Sequence, residues 1–169
     1  MYGMFYACTS FTSLDMSRFD TSKVTNMFCA FYYCTSLVTL DLSSFITSNV
    51  VGNGMMQMFS YCSNLTTLDL SSFDTSKITS TREMFANCGK LTTLDLSNFD
   101  TFKVTNMNSM FINCSSLTTI KGIIDMNSCT KLYYNMFKNC SKLTGVKIKN
   151  PPAGFDGAGL SSSQYTIVS

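Results

Sequence analysis

The chain contains no histidine. Without an imidazole there is no Ser-His-Asp or Cys-His nucleophile, no histidine general base, and no Cys/His zinc site. Charge is scarce as well: charged residues make up 13% of the 169, and the net charge is +2. So small a positive excess excludes an electrostatic nucleic-acid binder, which must neutralise many phosphates. No apolar run approaches the roughly 18 residues that span a bilayer, so membrane insertion is not expected. Met1 to Thr9 carries neither the basic nor the apolar stretch of a secretory signal. Disorder is excluded by the combination of low charge and 13% aromatic residues. The length suggests one domain with a real core. Small hydroxyls are what abounds, with 24 Ser and 21 Thr.

Self-comparison reveals a repeat. Cys8, Cys34, Cys62, Cys88, Cys114 and Cys140 are separated by 26, 28, 26, 26 and 26 residues. Each follows a phenylalanine by three positions, from Phe5 to Phe137, and precedes Phe11, Leu37, Leu65, Leu91, Leu117 or Leu143 by three. The clearest unit is Leu91 to Ser116, LTTLDLSNFDTFKVTNMNSMFINCSS. The expected organisation is a half repeat 1–10, repeats 11–36, 37–64, 65–90, 91–116 and 117–142, a half repeat 143–149, and a cap at 150–169. The second full repeat holds two extra residues near Gly52 to Gly54, and the fifth replaces DLSxF by KGIID at Lys121 to Asp125.

Two periodicities share each unit. In LxxLDL, Leu68 and Leu70 point one way while Thr67, Asp69 and Ser71 point the other, which predicts a short strand buried on one face. Met107, Met110, Phe111 and Cys114 have helical spacing, with Thr105 or Asn106 as N-cap, which predicts a short helical turn. Lys103 to Thr105 is a candidate second strand. No unit buries its apolar residues alone, so units must stack. The expected fold is a repeat solenoid with one short parallel β-strand and one short helical turn per repeat. Six strands at about 4.8 Å spacing would form one sheet.

The pattern LxxLDLSxFDTSKVTNMxxMFxxC, carried by residues 1 to about 150, resembles the leucine-rich repeats of the bacterial surface proteins called BspA-like. It is also similar to repeats of mycoplasma and Listeria-type surface proteins. The resemblance implies a right-handed solenoid, display at the cell surface or outside the cell, and adhesion, with no catalytic residues to carry over.

The strand pattern singles out an acidic column. Asp15, Asp41, Asp69 and Asp95 hold the same outward position, flanked by Ser13 and Ser17, Thr39 and Ser43, Thr67 and Ser71, and Thr93 and Ser97. Neighbouring like charges repel by about 1 kcal/mol per pair in water, so solvent, hydroxyls, a cation or a basic partner must offset them. Three readings are open: a solvated face, a protein or glycan contact surface, or calcium, which a flat ladder supplies poorly with oxygens. The six ladder cysteines read as reduced core thiols, although adjacent rungs fall within disulfide range. Cys29 and Cys129 align with the polar positions Ser109 and Lys103; they are candidates for exposure, with burial the open alternative. Asp20 with Lys23, Asp74 with Lys77 and Asp100 with Lys103 covary within the chain and suggest a local turn contact.

The function expected from these residues is a non-enzymatic binding or adhesion module, without cofactor or metal. Its partner would be a protein or glycan ligand on a host or neighbouring cell, met by Asp15, Asp41, Asp69, Asp95, Thr39, Thr67, Thr93, Ser43, Ser71 and Ser97. The alternative is a structural protein assembling end to end. Residues 1–120 carry 6 positive and 8 negative charges and residues 121–169 carry 6 and 2, which polarises the rod. The half repeat around Met4, Phe5 and Cys8 would leave an apolar end and favour self-association there. The glycine cluster Gly154, Gly157 and Gly159 lacks the strand-to-helix context of a phosphate loop.

Overall fold

A computed structural model describes residues 1–169. The chain is all-β, and it contains no helix. Its strands are β1 (Ser13–Leu14), β2 (Thr39–Leu40), β3 (Thr93–Asp95), β4 (Thr119–Lys121), β5 (Ile123–Asp125), β6 (Val146–Lys149) and β7 (Tyr165–Val168). All pairings are parallel: β1 with β2, β3 with β4, and β5 with β6 and then β7. Partners lie 26 residues apart in β1–β2 and β3–β4, as in Leu94 opposite Ile120. This is a repeat-like parallel-strand architecture of stacked rungs.

The strands do not merge into one sheet, and the third full repeat has none in its LxxLDL segment; three separate sheets form instead. Their shortness has a local cause. Asp15, Asp41, Asp69 and Asp95 each accept, through Oδ1, the N–H of the serine two residues on, at 2.9–3.0 Å. That Asx turn takes the N–H a longer strand would need. Only 7 of the 75 backbone hydrogen bonds therefore fall within strands, and most of the rest are turns and rung-to-rung bonds.

The expected helical turn is absent, and the backbone explains why. Gly3, Cys29, Gln57, Glu83, Ser109 and Asn135 all have φ of 54–55°, and Ala7, Tyr33, Tyr61, Asn87, Asn113 and Asn139 have φ of 55–65°. A right-handed helix cannot pass through left-handed residues. Consecutive N–H groups alternate instead. Ala30, Tyr32 and Cys34 donate back three residues to Met27, Cys29 and Phe31, while Cys29, Phe31 and Tyr33 donate across to Met56, Met58 and Ser60 of the next rung. Apolar residues at i, i+3, i+4 and i+7 still face inward, so the helical spacing is real and its secondary structure is not. Asn106 does cap the segment, accepting the Asn108 N–H at 3.1 Å, but it closes an Asx turn. Lys103 to Thr105 forms no strand; the parallel bridges nearby join Ser80 to Asn106 and Asn106 to Leu132.

The core is one cluster running the length of the stack. Phe5, Phe31, Phe59, Phe85, Phe111 and Phe137 stack at 5.3–5.8 Å between centroids, with planes within 2–7° of parallel. The ladder cysteines lie beside them. Cys34, Cys62, Cys88, Cys114 and Cys140 each donate the thiol to a phenylalanine carbonyl of the preceding rung, at 3.0–3.2 Å. All eight cysteines are free.

Cys29 and Cys129 are buried rather than exposed. Cys29 donates to Gln57 Oε1 of the next rung at 3.5 Å. Cys129 is displaced by a change of frame. Val24, Val50, Ile78 and Val104 each donate back to Thr21, Thr47, Thr75 and Thr101, and Cys129 donates back to Met126 in the same way. Thr75 bonds to Asp100, 25 residues on, but Thr101 bonds to Asp125, 24 residues on. The KGIID segment is thus one residue short, and Cys129 enters the buried Val/Ile column rather than the column of Lys103.

Candidate functional site

The outward strand face builds one shallow open groove of about 660 Å³. Leu14, Leu40 and Leu68 form its apolar floor, and Thr39, Thr67 and Thr93 stand with Asp41, Asp69 and Asp95 along it. The leucines face the core because strand residues alternate; the Thr, Asp and Ser positions between them are exposed. The structure therefore aligns Thr39, Thr67, Thr93, Asp41, Asp69 and Asp95 on one surface, with Ser43 at its margin. Ser71 and Ser97 line a smaller adjoining hollow of about 260 Å³ that also includes Asp69 and Asp95. Asp15 continues the column on the first rung, exposed, outside the groove lining.

The carboxyls of Asp15, Asp41 and Asp95 lie below the ordinary carboxylate value. The Ser17 hydroxyl, followed by its N–H, lowers the pKa of Asp15. Asp41 is lowered by the Ser43 N–H and then its hydroxyl, with slight opposition from burial and Asp15. Ser97 does the same for Asp95, and Lys121 adds to it. The acidic column ends at that lysine, whose Nζ lies 3.6 Å from Asp95 Oδ2. Each aspartate has one oxygen committed to its turn; the other remains for an outside donor in Asp15, Asp41 and Asp69, whereas in Asp95 it faces Lys121. No three Cys, Asp or Glu side chains gather closely enough to share a metal ion.

In the second acidic set the aspartates close local turns, and two of the lysines bridge to the preceding rung. Asp20, Asp74 and Asp100 accept the N–H two residues on, at 2.9–3.0 Å. The lysines reach past them: Lys77 Nζ donates to Ser48 O at 2.8 Å and Lys103 Nζ to Ser76 O at 3.1 Å. Asn49 fills the same role on Ser22 O at 2.7 Å, which explains how that rung dispenses with both charges. These are rung-to-rung clamps.

A family model described as "Mycoplasma protein of unknown function, DUF285" matches residues 1–68 and again residues 40–150. The chain belongs to this family. Two overlapping matches fit a repeated unit, and together they cover the rungs of the DUF285 chain up to Asn150. No curated protein and no solved structure matches it. No helix of the chain is long and apolar enough to cross a membrane.

Proposed function

We propose that the chain is a non-enzymatic binding module, displayed at the cell surface or outside the cell. It is read as a right-handed leucine-rich-repeat solenoid of the BspA-like type, presenting its strand groove to a protein or glycan ligand. The observation that carries this reading is the groove itself. Successive rungs repeat the same outward Thr, Asp and Ser over a leucine floor, and the backbone beneath is fixed by rung-to-rung hydrogen bonds. A preorganised row of hydroxyls and carboxylates loses little entropy when a ligand hydroxyl, amide or amine docks on it.

The test is the triple variant D41N/D69N/D95N. Asparagine keeps the Oδ1 acceptor that closes each turn but removes the charge. The variant is expected to melt as the native chain does and to lose the ligands that the native chain retains on arrays of glycans and purified extracellular proteins. Equal binding by a folded variant, or no native binding at all, would overturn the groove as the contact surface.

A further inference from the structure

We propose that the strand face is hinged between the third and fourth full repeats, with Asn98 as the wedge that holds the hinge open. One hydrogen bond recurs at the head of the strand segments. The Val38 N–H donates to Thr12 O at 2.8 Å, Thr66 to Val38 at 3.1 Å, Thr118 to Thr92 at 2.9 Å and Thr144 to Thr118 at 3.2 Å. The remaining member of this ladder is missing. The Thr92 N–H has no backbone acceptor and the Thr66 carbonyl no backbone donor. The N–H groups from Thr67 to Leu70 have no backbone partner either. Backbone groups that pair at every other junction and not at this one mark a local opening.

The opening is confined to one side of the solenoid. Across the same junction Glu83, Phe85 and Asn87 donate to Asn108, Met110 and Ile112 at 2.7–3.0 Å. Phe85 stacks on Phe111 at 5.6 Å, within the 5.3–5.8 Å of the other interior phenylalanine pairs. The Thr75 hydroxyl holds both backbone groups of Asp100. The two repeats are therefore joined along the phenylalanine spine and the threonine corner and parted on the strand face. The hollow of about 260 Å³ occupies this parting, with Leu68 to Ser71 on one side and Asp95, Ser97 and Asn98 on the other.

Asn98 suits a wider separation than its counterparts. At two bonded junctions the same position holds a serine that reaches one carbonyl: Ser44 Oγ donates to Met16 O at 3.4 Å and Ser72 Oγ to Leu42 O at 3.1 Å. Asn98 is longer. Its Nδ2 donates to Phe73 O at 2.8 Å and Leu70 O at 3.0 Å, with Ser71 O at 3.3 Å. One side chain thus bridges the two repeats while their strand backbones stay unpaired. The third repeat is also weaker inside. Thr81 takes the core place that Met27 and Met107 hold in other repeats, and its buried hydroxyl has no partner. The shorter side chain makes fewer dispersion contacts with the rungs on either side. The groove above the seam therefore has two rigid segments. Closing the seam restores the ladder and draws Thr93 and Asp95 toward Thr67 and Asp69, which narrows the groove; opening it widens the groove. This property belongs to the fold and does not depend on what the groove binds.

Residue-resolved NMR on the full chain, without any ligand, tests the hinge. The Thr92 amide should exchange at least about tenfold faster than those of Val38, Thr118 and Thr144, as local opening requires. Relaxation dispersion on the μs–ms timescale of hinge motions should appear in residues 66–70 and 92–96 and be absent from the phenylalanine spine. N98S should let the seam close and slow Thr92 exchange to the level of Thr118, whereas N98Q, which keeps the long amide, should leave it fast. A native Thr92 amide as protected as Thr118 overturns the proposal. Fast exchange without dispersion in either segment would make the parting a static gap and overturns the hinge as well. An N98S chain in which Thr92 exchange is unchanged or faster removes Asn98 from the role of wedge.

Discussion

The Thr75 hydroxyl donates to the Asp100 carbonyl at 3.2 Å and accepts the Asp100 N–H at 2.8 Å. One side chain thus serves both the backbone donor and the backbone acceptor of a residue on the next rung. The same reciprocal pair joins Thr21 to Ile46, Thr47 to Asp74 and Thr101 to Asp125. All four threonines are buried. The hydroxyl column replaces a strand ladder at the corner where the chain turns away from the strand face, and it stops where the buried Met126 takes the threonine's place.

Replacing Thr75 by valine keeps the shape but leaves both Asp100 backbone groups without that partner. Unpaired buried polar groups cost roughly 1–3 kcal/mol each. We expect T75V to lower stability by about 2–3 kcal/mol in urea denaturation, and T75S to retain most of it. A loss in T75V no greater than in T75S would show that the methyl, not the hydroxyl, fixes this corner.

How far the sequence reveals such features depends on what repeats. The inward leucines, the stacked phenylalanines and the outward Asp and Thr positions are legible, because strand alternation and a fixed period dictate them. The turn around Met107 to Cys114 is misread, since i, i+3, i+4 spacing is shared by a helix and by turns interrupted at Ser109 and Asn113. Its signal was present: Gly3 and then Asn87, Asn113, Asn135 and Asn139 are residues that favour positive φ. The variable position in DLSxF gives no signal of its contact: Ser72 donates to Leu42 O at 3.1 Å and Asn98 to Leu70 O at 3.0 Å. Cys129 fails for a simpler reason: a frame counted by 26 does not see a residue lost and regained within one rung.

The thiols make the fold sensitive to alkali. Burial pushes Cys88 up to about 12, and Cys29 and Cys140 to about 11, from 9.0. Below the unfolded value both states keep these protons, so the thiols add no pH dependence. Above it the unfolded chain releases protons that the folded chain holds, and stability falls as pH rises from about 9 toward 11. Melting temperatures from pH 8 to 11 should show this decline, and C88A/C140A should flatten it. At pH 8 a thiol reagent should reach only Cys8, the one cysteine that is not fully buried. Reaction of several native thiols would refute the sealed ladder.

Gly122 marks the place where the sheet breaks between β4 and β5. Its φ is +95°, and a Cβ there would lie 2.8 Å from the Leu96 carbonyl carbon and oxygen and from the Ser97 nitrogen. Both obstacles are backbone of the preceding rung, which also receives the Lys121 carbonyl through the Leu96 N–H at 3.0 Å. A side chain would have to separate the rungs or rotate φ, and either breaks that bond. Gly145 provides the comparison, with φ of +68° and open space around it. G145A should therefore cost only the left-handed penalty of about 1–2 kcal/mol. G122A adds the clash and is expected to cost about 2–4 kcal/mol, in the range of severe backbone substitutions. Chemical denaturation of the two variants side by side isolates the contact. Equal losses would mean that the approach of Gly122 to Leu96 and Ser97 is not what fixes the break.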